Sequence, residues 1–144
     1  MKIKITIEII CSLLVLLFVY AAFSKLIGYQ TFQIQISNSP FLKSFAAIIA
    51  WLIPGAELII AVMLTVIHTR KAGLYAAFIL LLSFTLYITG MLLSGVHLPC
   101  SCGGIIQQLS WEGHLLFNLF FIVLTVIGIV LERNQKLNML FENG

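Results

Sequence analysis

Four apolar stretches set the terms for this chain. They fall at about residues 7–27, 41–67, 72–96 and 114–131. A helix of about 20 residues crosses the ~30 Å hydrocarbon core of a bilayer, so each stretch is long enough to span one. Within hydrocarbon every backbone N–H and C=O must bond inside the protein, which leaves helices or closed barrels. The period-two alternation of a barrel strand is absent, so helices are predicted. Only 9% of the 144 residues are charged and 61% are hydrophobic. A soluble domain is about one quarter charged, so these charges are too few to coat a globule. The expectation is an all-α, polytopic membrane protein. It is a single integral domain over 1–144, a four-transmembrane-helix bundle whose first partner is the lipid bilayer. Neither a Lys/Arg run with interleaved aromatics nor a Gly-rich phosphate loop is present, which argues against nucleic acid and nucleotides.

The N-terminus imitates a signal peptide, with Lys2 and Lys4, an apolar run and then Ala21-Ala22. The run continues through Phe23 to Lys25, long enough to span, so cleavage is not expected. Ile10 before Cys11 also argues against a lipoprotein cysteine, which needs a small neighbour. Lys and Arg then set the orientation. Lys2, Lys4, Arg70, Lys71, Arg133 and Lys136 fall on one side, Lys25 and Lys43 on the other. Both termini are therefore predicted in the cytoplasm of a bacterial inner membrane, and the loop between the third and fourth spans in the periplasm.

Within the spans, the few polar residues are the informative ones. Lys25 closes the first span and is expected to snorkel its ammonium to the headgroups. The following segment, 28–40, alternates Phe32, Ile34 and Ile36 with Gln33 and Gln35, and is read as a short amphipathic piece lying on the bundle. Ser39-Pro40 is a plausible start for the second span. Pro54 inside that span predicts a kink, and Gly55 beside it a close helix approach. Glu57 lies deeper still. An ionised carboxylate there costs about 2.5–3.5 kcal/mol, so it must be neutral, hydrogen-bonded or facing a wet cavity. Thr85, Tyr87 and Tyr20 are candidate partners. Lys25 is placed nearer the surface than Glu57, so no direct ion pair is expected. Most of the hydroxyls of Ser83, Thr85, Tyr87 and Thr89 are expected to bond backbone carbonyls. Trp111 suits the aromatic belt. His114 and Asn118, four residues apart, share a helix face. Cys11 reads as a small buried residue.

The polar loop His97-Leu98-Pro99-Cys100-Ser101-Cys102-Gly103-Gly104 carries the chemistry. Disulfide exchange needs an exposed thiolate and a sulfur open to attack. A Cys-Ser-Cys ring closes only on a bent backbone, is expected to be strained, and strain raises its reduction potential. Pro99 and the glycine pair supply the bend. His97 and His114 are candidates to stabilise a thiolate or shuttle its proton. The same residues allow two other readings. His97, Cys100, Cys102 and His114 would make a two-sulfur, two-nitrogen set for Zn or Cu(I), although zinc pairs usually leave two to four residues between cysteines. Alternatively, the two cysteines form a purely structural disulfide.

Taken together, these residues resemble the MauE/DoxX group of redox-associated membrane proteins. The resemblance rests on Phe23-Ser24-Lys25-Leu26, Ser39-Pro40, Trp51 through Pro54 with Glu57-Leu58, and above all Cys100-Ser101-Cys102-Gly103. It runs nearly to Leu131. It implies a four-helix bundle that makes, transfers or maintains periplasmic disulfides. MauE itself is linked to maturation of the disulfide-rich small subunit of methylamine dehydrogenase. The outline is also similar to quinone-linked disulfide oxidoreductases of the DsbB and VKOR type. Those carry a Cys-x-x-Cys pair near the quinone and usually a second pair, whereas this chain has one Cys-x-Cys pair. No cofactor is therefore predicted, and a quinone has only weak support.

The leading expectation is a thiol–disulfide exchange protein. Cys100 and Cys102 are its redox pair, His97 and His114 its candidate proton shuttles, and Glu57 and Lys25 weaker site candidates; no metal is assigned. Its partner would be a periplasmic thioredoxin-like or cysteine-containing protein. The alternatives are a non-enzymatic membrane assembly factor with a structural disulfide, and a small metal-handling or transport protein that uses Glu57.

Overall fold

A computed structural model describes residues 2–39, 42–94 and 111–142, with side chains of the last helix over 113–135. Among these residues the chain is helical, with turns and no strand. The helices are α1 (Lys2–Ile27), α2 (Tyr29–Asn38), α3 (Ala46–Thr65), α4 (Arg70–Leu93) and α5 (Trp111–Glu142), with a 3-10 turn at Lys43–Phe45 before α3. Four helices are long and apolar enough to cross a membrane: α1, α3 with its 3-10 turn, α4, and α5 over Gly113–Gln135.

Helix α1 packs on α3 and α5, and α4 packs on the same two, so the long helices close a ring in the order α1, α3, α4, α5. The core takes Ile7, Ile10, Cys11, Leu14 and Phe18 from α1. Facing them are Ile60, Ala61 and Leu64 of α3, Leu74, Ala77 and Leu81 of α4, and Phe121 of α5. Steps of three and four residues put one stripe of each helix inside. The stripe is invisible in the sequence because the outward positions are apolar too: Ile9, Leu13, Leu16, Ile59, Val62, Ile79, Leu86, Leu116 and Val123 are exposed. Exposed apolar surface on that scale belongs against lipid, not water. Cys11 is buried, as expected of a small core residue.

Several boundaries differ from the sequence expectation, and the differences matter. The first span begins at Lys2, not near residue 7, because nothing between Lys2 and Ile7 breaks a helix. At its other end the chain stays on the bundle. Gly28 N–H bonds Ser24 O at 3.1 Å and Phe32 N–H bonds Gly28 O at 2.9 Å, so helical bonding carries across Gly28 into α2. The amphipathic piece is thus a helix and not an alternating strand. Phe32 and Ile36, four residues apart, are buried against Ala46 and Ala50 of α3, while Ile34 is exposed. Ser39 ends α2, its N–H bonded to Ile36 O, and α3 starts only at Ala46, after the 3-10 turn. The third span runs from Arg70 to Leu93 in place of 72–96, and the fourth is longer than 114–131 at both ends.

Pro54 lies inside α3 and is fully buried. Its missing N–H leaves the Ala50 carbonyl without the usual helical partner. The close helix contact expected at Gly55 is elsewhere, since a Cβ on Gly55 would meet nothing within 4 Å. It is Gly73, early in α4, that lets two backbones touch. A Cβ there would lie 3.1 Å from Leu64 N and from Met63 C. Both neighbours are backbone and cannot rotate away. Gly73→Val is therefore expected to destabilise the bundle by about 1–3 kcal/mol. Gly128→Ala, whose new methyl would meet the side-chain ends of Leu74 and Ile10, should cost less. Unfolding midpoints of the two variants in detergent test this order, and equal midpoints would contradict it.

Candidate functional site

The centre of the described bundle holds an ion pair. Lys25 Nζ donates to Glu57 Oε1 at 2.7 Å, and the two residues are 2% and 1% exposed. This corrects two expectations at once: Lys25 does not snorkel to the headgroups, and it does pair with Glu57. The reason lies in helix register. Glu57 sits ~16 Å along α3 from Ala46 and ~12 Å before Thr65, at 1.5 Å per residue. Lys25 reaches that level because α3 extends well past the end of α1. Helix α2 then packs along the overhang, lying on the bundle as its amphipathic pattern suggested.

The ammonium is held on several sides. Besides Glu57 it approaches Ala21 O at 3.4 Å. The ring of Phe32 from α2 lies 5.9 Å away and that of Phe84 from α4 lies 5.4 Å away, both within cation–π range. Helix α2 thus covers Lys25 with an aromatic face as well as packing on α3. Phe32 and Phe84 did not stand out in the sequence. The pair itself had a usable signal: Lys25 and Glu57 are opposite charges in two apolar helices that hold few others, and such charges pair with each other.

Thr85, one of the hydroxyls proposed as a partner for Glu57, bonds its own helix, as do Ser83 and Thr89, which were expected to. Thr85 donates to Leu81 O at 2.9 Å, Ser83 to Ile79 O at 2.8 Å and Thr89 to Thr85 O at 2.7 Å. Each satisfies its own helix, as expected of hydroxyls in lipid. Glu57 is left with one paired oxygen and one buried oxygen, Oε2, that has no partner.

Beside the pair lies a half-open cavity of about 40 Å³ lined by side chains of α1, α3, α4 and α5. Lys25 and Glu57 line it together with Phe84, Phe117, His114 and Asn118. His114 and Asn118 share a face of α5, as their spacing predicted, and both are buried, at 6% and 7% exposure. His114 Nδ1, like Glu57 Oε2, is buried without a partner. Buried polar atoms are nearly always hydrogen-bonded, so two orphans on one cavity mark a site.

Of the six site residues expected from sequence, the structure brings Lys25, Glu57 and His114 to one cavity and adds Asn118. His97, Cys100 and Cys102 lie outside the described residues, as do three of the four ligands of the metal reading. Among the described residues no three His, Cys, Asp or Glu side chains are grouped to hold a metal. The segment 95–110, which contains the cysteines, joins the end of α4 to the start of α5. His114 is the fourth residue of α5 and twelve residues after Cys102.

Two comparisons with known proteins, of curated sequences and of solved structures, give no match. The family described as methylamine utilisation protein MauE matches residues 3–131.

Proposed function

The chain belongs to the MauE family of membrane proteins, and from that premise we propose that it exchanges disulfides with a periplasmic partner through Cys100 and Cys102. It is a multi-pass membrane protein. In this reading it lies in the bacterial inner membrane with both termini cytoplasmic, and serves the maturation of a secreted, cysteine-containing protein. The thiolate of one cysteine attacks a disulfide sulfur of a thioredoxin-like or client protein. That S–S bond breaks, a mixed disulfide forms, and the leaving sulfur takes up a proton. The second cysteine then attacks the mixed disulfide. A Cys100–Cys102 bond forms, and the partner leaves with two electrons and two protons. Run backwards, the same steps oxidise the partner.

The observation that carries this reading is the junction of the Cys-Ser-Cys segment with α5. The first buried residue among the described side chains of that helix, His114, belongs to a polar site able to handle protons. Thiol exchange needs such a group, because every sulfur that enters or leaves the reaction changes protonation.

Trapping tests it. Cys100→Ala and Cys102→Ala are each made in the full chain, and membranes are probed for adducts that a reductant dissolves. At least one variant should hold a periplasmic protein in a mixed disulfide, and the double variant should hold none. Reduced Cys100 or Cys102 should also react with an impermeant maleimide added from the periplasm, while Cys11 stays unlabelled. If neither single variant forms an adduct and its unfolding midpoint falls instead, the cysteines are a structural staple of an assembly factor. One bound equivalent of zinc or copper, lost on replacing His97 or His114, would establish the metal reading instead.

A further inference from the structure

We propose that the cavity beside the ion pair is a hydrated proton-transfer site, in which bound water joins Glu57 Oε2 to His114 Nδ1. Three observations lead there. The cavity, about 40 Å³, has room for about three waters at roughly 10–15 Å³ each. Its wall holds two unpartnered polar atoms on side chains more than nine-tenths buried, with the Asn118 amide as a third polar group. The Lys25–Glu57 bond uses only one carboxylate oxygen, which keeps the charge compensated and leaves the other free to accept.

The titratable groups facing this space are few. Lys25 comes from α1, Glu57 from α3 and His114 from α5, while α4 offers Leu81 and Phe84, and Phe32 of α2 covers the far side of Lys25. Lys25 is committed to Glu57 and to two aromatic faces. A mobile proton therefore has two stations, the free carboxylate oxygen and the imidazole, and water spans between them. No bond other than O–H and N–H changes, and the proton lost by one station is gained by the other. That this proton serves thiolate formation at Cys100 and Cys102 rests on the exchange reading above. Glu57 and His114 are then proton-carrying residues acting at a distance, not groups that touch the sulfurs.

The test reads hydration directly. The full chain, carrying ¹⁵N-histidine and ¹³C-glutamate, is placed in phosphatidylcholine–phosphatidylglycerol bilayers and examined by water-edited solid-state NMR. Polarisation from water should reach the His114 imidazole and the Glu57 carboxyl at least about fivefold faster than the Leu14 and Leu74 methyls of the dry core. Build-up as slow as at those methyls would overturn the proposal, and this arm needs no variant. Ala21→Leu, which places a larger side chain in the cavity wall, should abolish the fast build-up at both groups together. Loss at only one would mean separate waters and no bridge. The second arm reads use of the site. His114→Gln and Ala21→Leu should each slow disulfide exchange by at least about tenfold, and the double variant no further than the worse single. Multiplying effects would mean that the two changes act separately and no relay exists. Should the unmodified chain exchange no disulfide, the exchange reading fails while the NMR arm still decides the site.

Discussion

Lys25→Met is expected to lower the stability of the folded bundle by about 3–5 kcal/mol, since removing one partner of a buried pair strands the other charge. Methionine keeps most of the lysine stem, so packing against Ala21, Phe32 and Phe84 changes little. What changes is Glu57, which is 1% exposed and has no other described hydrogen bond. The double variant Lys25→Met/Glu57→Met should recover most of the loss, because apolar replacements of a buried pair are often neutral or stabilising. Thermal unfolding of the purified full chain in detergent, compared across the four members of this cycle, measures the coupling. A single variant that melts like the unmodified protein would mean that the pair contributes nothing to the fold.

The second expectation concerns the other half of the pair. Glu57→Leu should cost a similar amount, about 3–5 kcal/mol, because it leaves an ammonium at the centre of the bundle. Ala21 O at 3.4 Å and two ring faces remain to it. Cation–π contacts are worth roughly 0.5–2 kcal/mol and do not replace a carboxylate. Glu57→Gln should fall between, losing about 1–3 kcal/mol, since the amide oxygen still accepts from Lys25 without the charge. The predicted order of unfolding midpoints is wild type, Gln, Leu. Exchange at the cysteines separates structure from chemistry. If Gln matches wild type in stability but exchanges slowly, the carboxylate matters for its proton. If Gln matches wild type in both, charge and proton are dispensable and only a hydrogen-bonding role is left.

The sequence alone determined everything that depends on local composition. Length and apolarity identified the four membrane helices, because a stretch of about 20 apolar residues has no other stable place. The step of four residues put His114 and Asn118 on one face. The scarcity of charge made Lys25, Glu57 and the Cys100–Cys102 segment the residues to watch. Tertiary structure decided which of these meet. Lys25 and Glu57 are 32 residues apart, and their levels depend on how far α1 and α3 slide past each other. Hydropathy carries no record of that slide, since lipid and neighbouring helix are equally apolar and every face reads alike. That slide goes with contacts that exist only after folding, among them α2 lying along α3 through Phe32 and Ile36. The same packing forms a cavity to which four helices contribute between one and four side chains each. No single segment carries a signal for it, because the polar groups that make the site come from turns of sequence that are strangers until the bundle closes.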